Sequence, residues 1–514
     1  MTPESSAPGT PTRLDDQRRL VREARAALVR RRRAGSTDSA EPPIRVMARI
    51  VGELEQDCAA REFDPDATRL EIVNRTIGDI NVRRITECEG EEGGPGDYRT
   101  LADDLGVALP GEDIGGRTAS GHGYRWLRDR MADEERALLA AGHDPRVYDI
   151  QGVGNPVLRA RLAADMAEWG MTATGDQVAL GLGATDCIDK TLRGLALLAR
   201  HLSRPPGALL FAAPGFNMPE LQAVAYGYRL HRVRTRAEER FKLTAELLAG
   251  ELEEHQDITV VYLTVTNNPT TFAYEPSELA ALMEVVRRFA DRGRRVHVLA
   301  DLAYVGTGTP AADEARMRAL TGAPGVAELL IHVNSMSKTH TLTGERFGWA
   351  VFGDAALAVD IRASWVSSIS SLPGEWQLRF MAYHTLFRRD PRLMEKIRGL
   401  YRLRRARLRR QLELFDEEHH LFERVYLDDD ATIYNWSRLR PGEDCFSVLE
   451  KTGVAGIPGS AFGYSDDYVR FSVGMLPVEL SDVRGAAGPA NHPTRRDHAG
   501  HQKPRNSGEL QLEQ

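Results

Sequence analysis

The sequence predicts an α/β fold: a mostly parallel β-sheet covered by helices on both faces, followed by a smaller α+β part. Three observations predict it. Six short runs, QVALGLG, GALLFAAP, ITVVYLTVT, RVHVLADLAY, ELLIHVNSMS and RFGWAVFG, are apolar or β-branched almost throughout, the pattern of strands buried on both faces rather than on one. Longer stretches of helical periodicity separate them, as strand–helix–strand units of a parallel sheet require. The runs also end in glycine or polar clusters, at the strand ends where open α/β sheets bind ligands.

In chain order, residues 1 to about 14 are rich in Pro, Ser and Thr and are expected to be disordered. LDDQRRLVREARAALVRRRRAG then predicts a basic helix closed by Gly35, solvated or laid on a partner subunit. A Gly/Glu-rich segment within residues 89–127 carries no strand or helix pattern and is expected to be a loop. The six strand runs follow, each placing a cluster on one rim: Gly183 to Asp186, Pro214 to Phe216, Asn267 with Asn268, Asp301 to Tyr304, and Ser335 to Lys338. From about residue 366 a long helical region is expected, then strands in ATIYNWSRL and YVRFSVG. From Gly485 onward large apolar side chains are nearly absent, which predicts a tail; its His492, His498 and His501 are not expected to hold a metal.

Composition excludes several classes. With 42% hydrophobic and 27% charged residues, a chain of 514 residues has ample material for a large core. Lys+Arg 67 against Asp+Glu 74 gives a formal charge of -7, which argues against a nucleic-acid binder. Cys58, Cys88, Cys187 and Cys445 lie far apart without CxxC pairing, which fits a reducing cytoplasm and predicts neither a disulfide framework nor a zinc site. No run is long enough for a membrane span and the first residues lack a signal-peptide core, so a cytoplasmic protein without a membrane partner is expected.

The rim residues together hold the parts of a pyridoxal 5'-phosphate site. Lys338 is the candidate for the Schiff base with the cofactor aldehyde. Asp301 is the candidate to hold the pyridine nitrogen protonated, since an adjacent negative charge favours the charged ring. Tyr304 and Asn268 have the groups to hydrogen-bond the phenolic oxygen, and Phe216 a face to stack on the ring. For the phosphate, the candidates are the backbone N–H groups of the GATD turn at Ala184 and Thr185, the hydroxyls of Thr185, Ser335 and Ser337, and the Arg346 guanidinium. Taken singly, each has an ordinary alternative: Asp301 as a helix cap, Asn268 before Pro269 as a turn residue, Phe216 as core.

NNPT (267–270), DLAY (301–304), SMSK (335–338) and GERFG (344–348), in this order and at these strand ends, resemble the fold-type I pyridoxal phosphate enzymes of the class I/II aminotransferase family. The eight-residue spacing from Lys338 to Arg346 is the one this family uses between imine lysine and phosphate arginine. IGDIN (77–81), YDIQGVGNPVLRARLA (148–163) and YVRFSVG (468–474) are weaker echoes. The resemblance implies a seven-stranded large domain over 166–365, a small α+β domain formed by 46–165 and 366–484, an extension over 1–45 and a tail over 485–514. It implies a homodimer, Arg470 as the clamp on the substrate carboxylate, Gly78 in a substrate-side loop, and catalysis by Lys338, Tyr304 and Asp301. Where the family has glycine after NPT this chain has Thr271, which predicts a differently shaped turn. The implied activity is an aminotransferase making a 2-oxo acid from an amino acid; the 89–127 segment, Thr271 and the extra termini point to specialised natural-product metabolism. The alternative on the same fold is γ-elimination or γ-replacement on S-adenosylmethionine, as in 1-aminocyclopropane-1-carboxylate synthase; an aminotransferase-like transcription regulator would need a winged helix-turn-helix that the first residues do not show.

Overall fold

The computed structural model describes residues 124–426 and 433–473, with residues 18–19, 21–23, 25–26, 51–52, 73–74 and 76. Gly78, most of the 89–127 segment and the 485–514 tail lie outside the described residues. A short strand β1 (Val73–Asn74) precedes the main sheet. That sheet is formed by β2 (Val178–Leu182), β3 (Ala208–Ala213), β4 (Arg229–Arg234), β5 (Ile258–Thr264), β6 (His297–Asp301), β7 (Leu330–Ser335) and β8 (Phe347–Phe352). Its order is β2-β8-β7-β6-β5-β3-β4. The β3–β4, β3–β5, β5–β6 and β6–β7 pairs are parallel, while β8 runs antiparallel to both β2 and β7. One rim therefore gathers the carboxyl ends of β2 to β7 and the amino end of β8.

Both faces of the sheet are buried, as the continuous apolar runs require. Leu210, Val261 and Val298 enter one core, and their chain neighbours Leu209, Val260 and Leu299 enter the other. Pleat alternation sends successive side chains to opposite faces, so a strand covered on both sides favours apolar residues along its length.

The seventh strand, β4, was not among the six runs. Of its residues RLHRVR only Val233 is buried, because β4 is an edge strand whose one partner in the sheet is β3. Charged side chains on an edge discourage pairing with a second sheet, and they also erase the apolar signature by which the other strands are legible. The helical region expected from residue 366 begins at Arg362 and is three helices, Arg362–Ile369, Gly374–Arg389 and Arg392–His419. Pro373 and Pro391 stand at the two later starts, where a missing N–H costs nothing.

β9 (Phe422–Tyr426), β10 (Tyr434–Leu439), β12 (Ile457–Pro458) and β13 (Tyr468–Ser472) form a four-stranded antiparallel sheet in the order β12-β13-β10-β9. β11 (Val454–Ala455) pairs with β1, joining an early segment of the chain to this later part. Residues of the basic N-terminal stretch lie on the same part rather than free in solvent. Val21 is buried, Arg22 pairs with Glu450 at 3.1 Å and Arg25 with Asp444 at 2.6 Å. Among the described residues no helix is long and apolar enough to cross a membrane.

Candidate active site

Asp301 is the last residue of β6 and is buried. Its Oδ2 accepts a hydrogen bond from the Tyr262 hydroxyl at 2.6 Å and its Oδ1 one from the Ala303 N–H at 2.9 Å. Burial raises its pKa above the ordinary carboxylate value, against the two hydrogen bonds that lower it. No basic side chain pairs with it among the described residues. A buried carboxylate in this state calls for a cation from elsewhere.

The next strand supplies the lysine. Ser335 ends β7 and caps the short helix Met336–Thr339, its Oγ accepting from the Ser337 N–H at 2.9 Å. Its Oγ also lies 2.7 Å from Ser337 Oγ and 3.1 Å from the Phe347 carbonyl. That helix carries Lys338, half-buried, with its carbonyl accepting from Tyr401 at 2.5 Å. The β6–β7 register sets Asp301 beside Val333, so the carboxylate and the lysine helix leave adjacent strands on the same rim.

Ser335 pairs with Gly348, and Gly348 with Gly181, which brings the end of β2 next to the end of β7. After β2 the chain turns at Gly183, φ 86, into the helix Ala184–His201. The first N–H groups of that helix, at Ala184 and Thr185, have no acceptor within it and point to the rim, an anion site by construction. Arg346, φ 60, sits against this turn: its Nη1 donates to Thr343 O at 3.0 Å and its Nη2 to Leu182 O at 3.3 Å. The φ of 86 at Gly183 calls for glycine, and a Cβ there would stand 2.5 Å from Arg346 Nη2 and displace the guanidinium. The remaining N–H groups of Arg346 stay available for an anion at the helix start.

On the other side of Asp301, Asn268 follows β5. Its Oδ1 accepts from Arg470 Nη1 at 2.9 Å, and its Nδ2 lies 3.4 Å from the Tyr304 hydroxyl. Tyr304 also meets Tyr434 through their hydroxyls at 3.0 Å. Burial, with the neighbouring phenol of Tyr434 second, raises the Tyr304 pKa well above its ordinary value. Arg470, on β13, is 1% exposed; its Nη2 donates to Thr76 O at 2.6 Å and its guanidinium lies over the Tyr434 ring at 4.1 Å and the Phe462 ring at 4.9 Å. Its Nε has no partner and, among the described residues, no carboxylate pairs with it. Burial lowers its pKa, and a guanidinium nonetheless keeps its charge in a protein.

The structure thus connects Tyr304, Asn268 and Arg470 by hydrogen bonds and places Asp301, Lys338, Ser335, Ser337, Arg346, Ala184 and Thr185 along the same rim. Phe216 lies half-buried in the loop after β3, which is fixed by Asn267 Nδ2 on Pro214 O at 3.0 Å and by the Gly215 N–H on Phe462 O at 3.1 Å. In the turn after NPT, Thr271, fully buried, takes φ 72, a left-handed conformation that a glycine would adopt without strain. A β-branched residue there costs of order 1–3 kcal/mol, which the surrounding contacts must hold.

Four residues of the site were missed in the sequence. Tyr262 and Tyr434 sit inside apolar strands and look like core; Phe462 carries no pattern; Thr76 contributes a carbonyl, which no side-chain signal announces.

The donor set fits pyridoxal phosphate. Asp301 lacks a cation where a protonated ring nitrogen would lie, and Gly183, Arg346 and the helix start leave a cradle for a phosphate dianion, with Lys338 between them in the order of the strands. Fold and donors together define a fold-type I pyridoxal phosphate-dependent transferase. Residues 150–485 match the family described as Aminotransferase class I and II, and the chain belongs to that family. It is 27% identical over 304 residues to an LL-diaminopimelate aminotransferase of Desulforudis audaxviator, covering 57% of this chain and 72% of the relative. With the LL-diaminopimelate aminotransferase of Natranaerobius thermophilus it shares 26% identity over 228 residues, 43% of this chain and only 54% of that relative's length. The fold matches aspartate aminotransferase from Thermus thermophilus with maleate at TM-score 0.61 and 17% identity, over 86% of this chain and 94% of that one. It matches N-succinyldiaminopimelate aminotransferase from Mycobacterium tuberculosis at TM-score 0.55 and 24% identity, over 74% of this chain and 92% of that one.

Proposed function

We propose that this chain is an aminotransferase that takes the amino group from the α-carbon of an amino acid and releases the 2-oxo acid. The observation that carries this reading is the pair of buried opposite charges, Asp301 and Arg470, neither ion-paired among the described residues, with Asn268 and Tyr304 hydrogen-bonded beside Arg470. The cofactor, when bound, supplies an aldehyde for the amino group and a cationic ring that takes up electron density from the α-carbon. Asp301 keeps that ring cationic. Arg470 binds the substrate carboxylate through N–H groups held in place by Asn268, Thr76 and the Tyr434 face, which fixes the amino acid by one end. The Lys338 amine, on a short capped helix, carries the α-proton between carbon atoms as general base and acid. Tyr304 holds the phenolic oxygen with Asn268. Ala184, Thr185, Ser335, Ser337 and Arg346 hold the phosphate, and Phe216 covers a ring face.

The relatives' names put LL-diaminopimelate and its N-succinyl derivative first among substrates to try. A place in specialised metabolism is supported by the sequence beyond the family match at both ends, residues 1–149 and 486–514. The two sheets, with β1 paired to β11, support a large domain over 166–365 and a small one from 46–165 and 366–484. Val147, Tyr148 and Ile150 expose 71%, 59% and 93% of their surface, an apolar strip that supports a homodimer.

The test is mass spectrometry of the holoenzyme incubated with pooled amino acids, and separately with S-adenosylmethionine. Pyridoxamine phosphate with a 2-oxo acid is the expected result. Methylthioadenosine released with pyridoxal phosphate retained would replace the aminotransferase reading by γ-elimination or γ-replacement.

A further inference from the structure

At the opposite rim from Asp301 and Lys338, two histidines and a carboxylate meet. His231 lies in the edge strand β4, His255 caps the end of the helix Ala245–Glu254, and Asp257 immediately precedes β5. One donor atom from each lies within 4.8 Å of the other two. The imidazole rings stack with centroids 4.1 Å apart and planes 25° from parallel, and His231 Nε2 lies 3.2 Å from both Asp257 oxygens. The side chains are partly accessible, at 22% for His231 and Asp257 and 31% for His255, so an ion has a path in and room for water ligands. Glu251, one turn earlier on the helix, sits 3.6 Å from His255 Nε2, close enough to serve as an outer carboxylate partner of a metal-bound imidazole.

We propose that His231, His255 and Asp257 form a binding site for a divalent transition metal of the zinc class, completed by water. Two neutral imidazoles and one carboxylate are a donor set of that class, and a zinc-type ion accepts three protein ligands with an open position. What holds the carboxylate now is Arg229, whose Nη2 reaches Asp257 at 2.8 Å. Arg229 is 72% exposed, so it can leave the site without losing buried contacts. The ion would tie the edge strand to the start of β5 and the end of the preceding helix, the last two already joined by the Ile258 N–H on His255 O at 3.3 Å, with Arg294 Nη2 also on His255 O at 2.6 Å. The site is independent of the aminotransferase reading, since none of its residues faces the cofactor rim.

The experiment titrates chelator-stripped, full-length holoenzyme with Co²⁺, reading the visible d–d absorption, with His492, His498 and His501 changed to Gln in every sample to remove tail chelation. The expected result is one saturable equivalent. His231→Gln and Asp257→Asn should each weaken it by about tenfold or more, and Arg229→Ala should tighten it by freeing the carboxylate. Because Arg229 is exposed, that variant tests the site even if the ligand variants fold poorly. A titration without a saturable band, or one that all three substitutions leave unchanged, overturns the site.

Discussion

Asp301 stores a cost that the bound cofactor removes. Burial raises its folded pKa above the ordinary 3.8, so the cofactor-free native state holds its proton to higher pH than the unfolded chain does. The stability this group contributes is present at low pH and lost as pH rises through the folded value. Asp301→Asn is therefore expected to leave the melting temperature of cofactor-free protein unchanged or higher at neutral pH, while turnover falls about 10²-fold or more, because the ring loses its counter-charge. A variant that melts lower and turns over normally would remove Asp301 from the site. Lys338→Ala should lower turnover by about 10³-fold or more, with no spectral response of the bound cofactor to amino acids. Arg470→Lys keeps a charge but loses the fork that meets a carboxylate; KM for the amino acid is expected to rise about 10- to 100-fold, with a smaller change in kcat. Unchanged KM would reassign Arg470 to the small sheet's packing.

Within single elements the rim residues were legible because each apolar run must end somewhere, and its first polar residue then stands at a strand terminus. Asp301, Ser335 and Asn268 were found that way. Tyr262 and Tyr434 were not, since an aromatic inside a buried strand is the usual core residue and only the fold shows that their hydroxyls meet Asp301 and Tyr304. β4 escaped for the converse reason: an edge needs no apolar pattern. β7 contains a further element-scale consequence, His332, which is fully buried with neither ring nitrogen partnered. Burial pushes its pKa down from 6.5 to about 4. Between these values the native state binds fewer protons than the unfolded chain, so stability is full above the upper value and is lost as pH falls through the window, by at most about 3 kcal/mol. His332→Leu is expected to flatten the acid side of the stability profile in denaturant titrations between pH 4 and 6.5. An equally steep acid limb in the variant would place the loss elsewhere.

At the scale of the molecule, the two sheets meet through the site itself: Arg470 to Asn268, Tyr434 to Tyr304, Phe462 to Gly215 and Tyr464 to Thr235. A bound substrate carboxylate adds one more connection at the same seam, so a saturating unreactive amino-acid analogue should raise the thermal midpoint of the holoenzyme, and should do so less in Arg470→Lys. The N-terminal ion pairs belong to the surface. Arg22→Ala with Arg25→Ala should cost under about 1 kcal/mol per pair and lose even that in high salt. The strand order also imposes a timetable on synthesis. β2, which leads into the phosphate cradle, has β8 as its neighbouring strand in the sheet, made about 170 residues later. At ribosomal speeds of about 5–20 residues per second, the cradle's strand waits roughly ten to thirty seconds for its neighbour in the sheet. A nascent chain stopped before Phe347 would carry every residue of the phosphate cradle, Gly183 to Arg346, with no β8 between β2 and β7 to hold them on one rim.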